Sequence, residues 1–367
     1  MSEIRRVIYQ SEAVFVGPTP ATGQHFSSGN SGANLITQLH RIQTANYNFN
    51  VTRQDVNQFG ELAAISREIV EAPTVALDFS YLLTNVLNES RMGFVVDGSV
   101  SAISGLISSG SNVKNYFIET VPEGNDAVGF VGQAQGVIGI GNGFITSYAS
   151  TAAVGGLPTV TVNVEGINIK MDDFATGQDI PAVNPVDGSL VTGFQYDIPA
   201  AVQGVVGQVP ALRPGDITVS IVPASGTGIG VGIDIDDSKI QNYNISFSLA
   251  RTPLQKLGNK FAFSREITFP VTVTASIEAL VGDLTTGSLS DVLCNDKEYN
   301  MIVTLRKPAC TGVGAIAVQY DLRKVKLDSE SFSSSIGPAK TVALTFSTQL
   351  GGPQATGIGL FLSGSLI

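Results

Sequence analysis

Few residues in this sequence could do chemistry, and their spacing argues against it. Two histidines, His25 and His40, lie in a Gly/Ser/Asn-rich stretch, without the positioned nucleophile and orienting acid that a catalytic histidine needs. Two cysteines, Cys294 and Cys310, stand sixteen residues apart, which is neither a disulfide framework nor a metal-ligand pair. The glycine runs GVIGIGNG (Gly136 to Gly143) and GTGIGVG (Gly226 to Gly232) lack the lysine of a phosphate-binding loop and do not complete G-x-G-x-x-G, so they read as turns and close backbone approaches. Asp234, Asp236 and Asp237 begin like a calcium loop, but Lys239 and Ile245 occupy the places of its glycine and glutamate. No catalytic, metal or cofactor residue is assigned, no cofactor is expected, and the chain is not expected to be an enzyme.

The charged residues that recur are of another kind. Ser-Arg-Glu occurs at Ser66 to Glu68 and again at Ser264 to Glu266, with Arg53 and Arg251 each fourteen residues before the tripeptide's arginine. Two readings stay open. Arg53, Arg67 and Glu68, with Arg251, Arg265 and Glu266, either brace their own strands or pair across a boundary between units, where a guanidinium fork fixes orientation.

These residues sit in an internal repeat. Ile42 to Ile69 aligns without a gap on Ile240 to Ile267, with eleven of twenty-eight positions identical, against roughly two by chance. Further matches follow once loops differ in length: VFVGP near Val14 with VSIVP near Val219, Lys114 and Tyr116 with Lys297 and Tyr299, and Thr159 to Val162 with Thr341 to Leu344. The expected organisation is a first domain over 1–170, a Pro/Gly/Ala-rich connector over 171–212 and a second domain over 213–367.

Periodicity defines the unit. Tyr47, Phe49 and Val51 alternate with asparagines, as Ile245, Phe247 and Leu249 alternate with Asn244, Ser246 and Ser248, so each run is a strand with one wet face. Val75, Leu77, Phe79 and Tyr81 alternate likewise. The fold class is mainly β: two tandem antiparallel β-barrel or sandwich domains. Each is expected to carry one short α-helix, over Leu82 to Met92 and Ser288 to Cys294.

Composition excludes several functions. A net charge of −10 and a pI near 4.7 have the wrong sign for gripping nucleic acid, and residues 1–200 hold 18 acidic against 8 basic side chains. The N-terminus, MSEIRRVIYQSEA, lacks the apolar core of a secretory signal, and no stretch approaches the ~18–20 apolar residues of a membrane span, so no membrane partner is expected. With 7% aromatic residues and no tryptophan, a sugar-stacking glycan hydrolase fits poorly.

The run NFNVTRQDVNQFGELAAISREIVEAPTVALDFSYLL, from Asn48, and the later GFITSYASTAAVGGLPTVTVNVEGINI, from Gly143, resemble the major tail (tail tube) proteins of tailed bacteriophages. The resemblance implies a β-barrel or sandwich unit with a helix, six units closing into a ring, and rings stacked into a tube through which genomic DNA passes without specific binding. Two units per chain imply a trimeric ring with pseudo-sixfold symmetry, or a hexameric ring with one unit outside. It further implies other phage tail proteins as partners and the virion as location, after synthesis in the host bacterial cytoplasm. A baseplate hub or distal tail protein built from the same duplicated domain is the alternative. The Gly/Ser/Asn-rich stretch from Pro18 to Leu39 is expected to be an arm that orders against the next ring.

Overall fold

The computed structural model describes residues 12–18, 36–107, 113–129, 136–173, 178–179, 181–184, 189–190, 195–196, 198–199, 201–203, 211–224, 239–262, 264–280, 298–309, 312–333 and 341–366. His25, Cys294, Cys310, the aspartates at 234–237, the glycine run 226–232, most of the 18–39 stretch and the helix expected over 288–294 lie outside these residues.

Strands dominate. The first half carries β1 (Glu12–Pro18), β2 (Thr37–Leu39), β3 (Ile42–Asn50), β4 (Arg53–Val56), β5 (Ser66–Ile69), β6 (Thr74–Leu82), β7 (Lys114–Thr120), β8 (Gly136–Ala153), β9 (Thr159–Gly166) and β10 (Asn168–Asp173). Two-residue strands β11 (Gln178–Asp179) and β12 (Gln195–Tyr196) follow. The second half carries β13 (Ile217–Pro223), β14 (Lys239–Ser248), β15 (Arg251–Leu254), β16 (Ser264–Ile267), β17 (Val271–Leu280), β18 (Tyr299–Arg306), β19 (Ile316–Ser333), β20 (Thr341–Leu350) and β21 (Gly359–Gly364).

Alternation along these strands decides what is buried. In β6, Val75, Leu77, Phe79 and Tyr81 turn inward while Thr74 and Asp78 stay wet; in β17, Val271, Val273, Ala275 and Ile277 do the same. In each half one long antiparallel strand serves two sets of partners. The first part of β8 pairs with β7 and β10 and its second part with β9; β19 pairs likewise with β18 and β21, then with β20.

The pairings of the second half repeat those of the first, residue by residue. Ile42 faces Tyr81 as Ile240 faces Ala279, each followed by a bulge, at Gln43 and Gln241. Arg53 faces Ile69 as Arg251 faces Ile267. Further irregularities fall at Thr146 and at Asp328, its counterpart. One expected match moves by two residues: Tyr116 faces Ile140 as Met301 faces Leu322, so Tyr116 corresponds to Met301 rather than Tyr299. A bulge shared by both halves fixes this correspondence, making Asn300 the counterpart of Asn115. Asn142 and Lys324 both adopt left-handed φ, 51° and 54°, and their N–H groups donate to the side-chain oxygens of Asn115 and Asn300, at 3.0 and 3.1 Å.

The two halves share one sheet. The second part of β8 pairs with β14 from Ser147↔Ser248 to Ala153↔Asn242, joining fifteen strands of the described residues by hydrogen bonds. One apolar cluster contains Leu77, Tyr81 and Tyr148 together with Ile245, Val303 and Tyr320.

Three local features differ from or refine the sequence reading. The helix expected from Leu82 starts later: α1 spans Leu87–Met92, because Leu82 is held in β6 and the Asn85 side chain accepts the Leu87 N–H. Gly93 ends it in a left-handed conformation, and a second short helix, α2 (Ser104–Ile107), follows. The run at Gly136 to Gly143 does allow close approach, since a Cβ on Gly141 would lie 1.9 Å from the Pro181 carbonyl oxygen. Parts of the expected connector are packed rather than free: Met171 belongs to β10, and Ala182, Val183, Ala201 and Leu212 are buried.

Candidate assembly interface

The joint between the halves is the most elaborate polar and aromatic arrangement among the described residues. It is built on β8 and β14, where inward alternation brings Tyr148 against Phe247 in a stacked pair, ring centroids 5.5 Å apart, with Phe94 tilted against Tyr148 and edge-on to Phe247. At both ends of the joint the chain adds backbone bonds, Leu249 N–H to Thr146 O and Val154 N–H to Gln241 O.

Below the joint lies a buried carboxylate. Helix α1 points Glu89 into the core, where it has no exposure, and its Oε1 accepts from Tyr81 at 2.6 Å and from Tyr148 at 3.1 Å. Tyr148 is joined in turn to Tyr320 of the second half, 2.8 Å away. Burial pushes the Glu89 carboxyl up to about 7, opposed by the two tyrosine hydroxyls. Sequence reasoning missed this site, since Glu89 stands as an ordinary glutamate in a short amphipathic segment.

The expected pairing residues separate into two unequal hairpins. In β15–β16, Arg265 is 3% exposed and forms an ion pair with Glu165, which belongs to β9 of the first half. Arg251 lies over the Phe144 ring, 4.8 Å from its centroid, and donates to the Arg265 carbonyl. Burial and the neighbouring Arg265 lower Arg251 to about 10, so it stays charged at neutral pH. Phe261 packs against Phe144, Ile167 and Val183. Glu266 is exposed.

In β4–β5 the same positions are wet. Arg67 pairs with Asp55 inside its own hairpin at 2.7 Å, with side chains 67% and 52% exposed, and Arg53 and Glu68 are exposed. The tripeptide glutamates are therefore not the partners of the tripeptide arginines: Arg67 uses Asp55 and Arg265 uses Glu165. Strand alternation explains this, because adjacent residues on a strand point to opposite faces. The turn in each hairpin needs glycine, Gly60 and Gly258 having φ of 96° and 91°.

His40 is buried, its backbone bonded on both sides to Asn88, and burial beside Arg91 and Arg41 lowers it to about 4. Among the described residues no group of three or more His, Cys, Asp or Glu could hold a metal ion.

No protein-family model and no curated protein matches the chain.

The two arginines predict unequal mutants. Arg265→Ala strips a partly buried carboxylate of its partner and will lower the stability of the single chain by about 2–3 kcal/mol. Arg67→Ala breaks an exposed pair and will cost under ~1 kcal/mol. Thermal unfolding of the unassembled protein checks both, and equal midpoints would contradict the assignment.

Proposed function

We propose that this chain is a virion structural protein that closes into a ring of three copies and stacks into a tube, the tail tube of a tailed bacteriophage, through which genomic DNA passes. The observation that carries the reading is the β8–β14 joint. It links one half to the next through strands that both halves possess, so the same joint can recur between chains.

Eight strands lie in one path, β3–β6–β9–β8–β14–β17–β20–β19. Among the described residues, β3 at one end pairs only with β6, and at the other residues 329–333 of β19 pair only with β20. These ends match the internal joint, because β3 corresponds to β14 and β19 to β8. Edge strands left open in this way template pairing with another chain, and a rotation that closes gives a ring without edges. Transferring the β8–β14 register predicts Asn46↔Ser333, Tyr47↔Phe332, Asn48↔Ser331, Phe49↔Glu330 and Asn50↔Ser329 between chains.

The wet face of this path suits a conduit. A row across six strands reads Thr159, Thr151, Asn244, Ser276, Thr345 and Ser329. Hydroxyls and amides with a net-acidic chain behind them offer phosphate no counterion-release drive. Purified protein is therefore expected to show no salt-dependent binding to duplex DNA in a fluorescence anisotropy titration at low salt; a submicromolar complex would contradict the conduit.

Negative-stain microscopy and native mass spectrometry test the assembly. Trimeric rings and tubes support the proposal. Rings that never elongate would mark a baseplate hub or distal tail component instead, and monomers at every concentration would overturn it.

A further inference from the structure

We infer that the exposed β4–β5 hairpin of one chain seats on the second half of a neighbouring copy, at a face formed around Lys324, Lys326 and Ser347. This deepens the ring reading and rests on it.

The internal hairpin supplies the pattern. β15–β16 follows β14 directly and folds over the half to which β14 is joined, through Arg265 on Glu165 and Arg251 on Phe144. β4–β5 follows β3 with the same register, but its strand residues, Ser66 apart, are exposed rather than packed against other described residues of the chain. Ala64 is exposed where its counterpart Ala262 is 1% exposed, and Arg67 is exposed where Arg265 is buried. Ile69 is 53% exposed where Ile267 is half-buried, and Val56 and Ile65 are 42% and 52% exposed. An apolar and charged hairpin laid open beside an open sheet edge has the composition of an interface.

Charge identifies the occupant as a second copy. Within the chain, the hairpin is basic: Arg251, Lys256, Lys260 and Arg265 stand against one carboxylate, Glu266, and the seat offers Glu165. Between chains the signs exchange. The β4–β5 hairpin and its exit carry Asp55, Glu61, Glu68 and Glu71 against Arg53 and Arg67. The corresponding seat replaces Glu165 with Ser347 and Phe144 with Lys326; Lys324 beside it is already paired with Glu298 at 3.6 Å, which leaves Lys326 as the charge that changes sign. The carboxylate that Arg265 finds on the seat is thus brought by the hairpin itself, as Asp55, at the position where β15 has Pro253. Such complementarity selects partner and register more than it adds affinity.

The test uses paired cysteines in a full-length chain with Cys294→Ser and Cys310→Ser, assembled and treated with a short bismaleimide. Arg67→Cys with Ser347→Cys reports the hairpin seat; Asn48→Cys with Ser331→Cys reports the strand edge. Expected are covalent dimers and trimers from both pairs on a reducing gel, with peptide mapping placing each link between chains. Ladders from the edge pair alone would overturn the hairpin seat and leave the ring intact. A hairpin link found only within single chains would also overturn it. Failure of both pairs would overturn the ring, and the seat with it.

Discussion

Proline placed separately at Asn48 and at Phe49 will divide folding from assembly. Consecutive residues of an edge strand point their N–H groups in opposite directions, one to β6 and the next outward. Both side chains are exposed, so neither variant loses much packing. The proline that replaces the inward N–H removes a ladder bond to β6 and will lower the melting temperature of the single chain. The proline that replaces the outward N–H will leave that midpoint within a few degrees. At the joint between chains it removes a donor and adds a clash, a loss of ~3 kcal/mol, or on the order of 100-fold per joint. A ring of three has three such joints, so assembly fails at concentrations where the unaltered protein is wholly assembled. Circular dichroism melts beside analytical ultracentrifugation read the two effects, and rings from both variants at the normal concentration would refute the edge-to-edge joint.

Glu89→Gln will stabilise the protein at alkaline pH. The carboxyl of Glu89 is pushed up to about 7 in the fold against 4.5 as the ordinary value, chiefly by burial. The folded state thus binds the proton more tightly than the unfolded state. Stability from this group is full below pH ~4.5 and is lost as pH rises to about 7, at about 1.4 kcal/mol for each pH unit, roughly 3 kcal/mol in total. Glutamine keeps the oxygen that Tyr81 and Tyr148 donate to and carries no charge to desolvate. The variant will match the parent near pH 4 and exceed it at pH 8. Other groups also contribute to the curve: Glu119, buried and likewise raised to about 7, has the same sign, while His40, lowered to about 4, has the opposite one. The difference between variant and parent isolates Glu89. Chemical denaturation from pH 4 to 8 measures it, and a difference that does not grow between pH 5 and 7 would contradict a buried, proton-holding Glu89.

Much of the fold is legible in the chain because it depends on near neighbours. Alternation in β6, β14 and β17 selects strands and their wet faces; in β3 it selects the strand but not a dry face, since Phe49 is 61% exposed, and the glycines at 60 and 258 allow the hairpin turns. The repeated run from Ile42 and from Ile240 foretells two hairpins of equal register. The shared Lys-x-Tyr at Lys114 and Lys297 misleads by two residues: the side chains that hold the equivalent bulges at Asn142 and Lys324 are Asn115 and Asn300, one residue after Lys114 but three after Lys297.

The partners of the charges belong to the tertiary structure. Arg67 and Arg265 occupy identical places in the sequence pattern, yet one bonds Asp55 across its own hairpin and the other reaches Glu165 in the opposite half. The same is true of the core link from Glu89 through Tyr148 to Tyr320, whose two tyrosines are 172 residues apart. Strand formation and turns follow from a few successive residues, whose sterics and polarity act locally. A side chain's partner follows from which strands lie side by side and in what register, and that is decided only when the apolar faces of both halves close over one core.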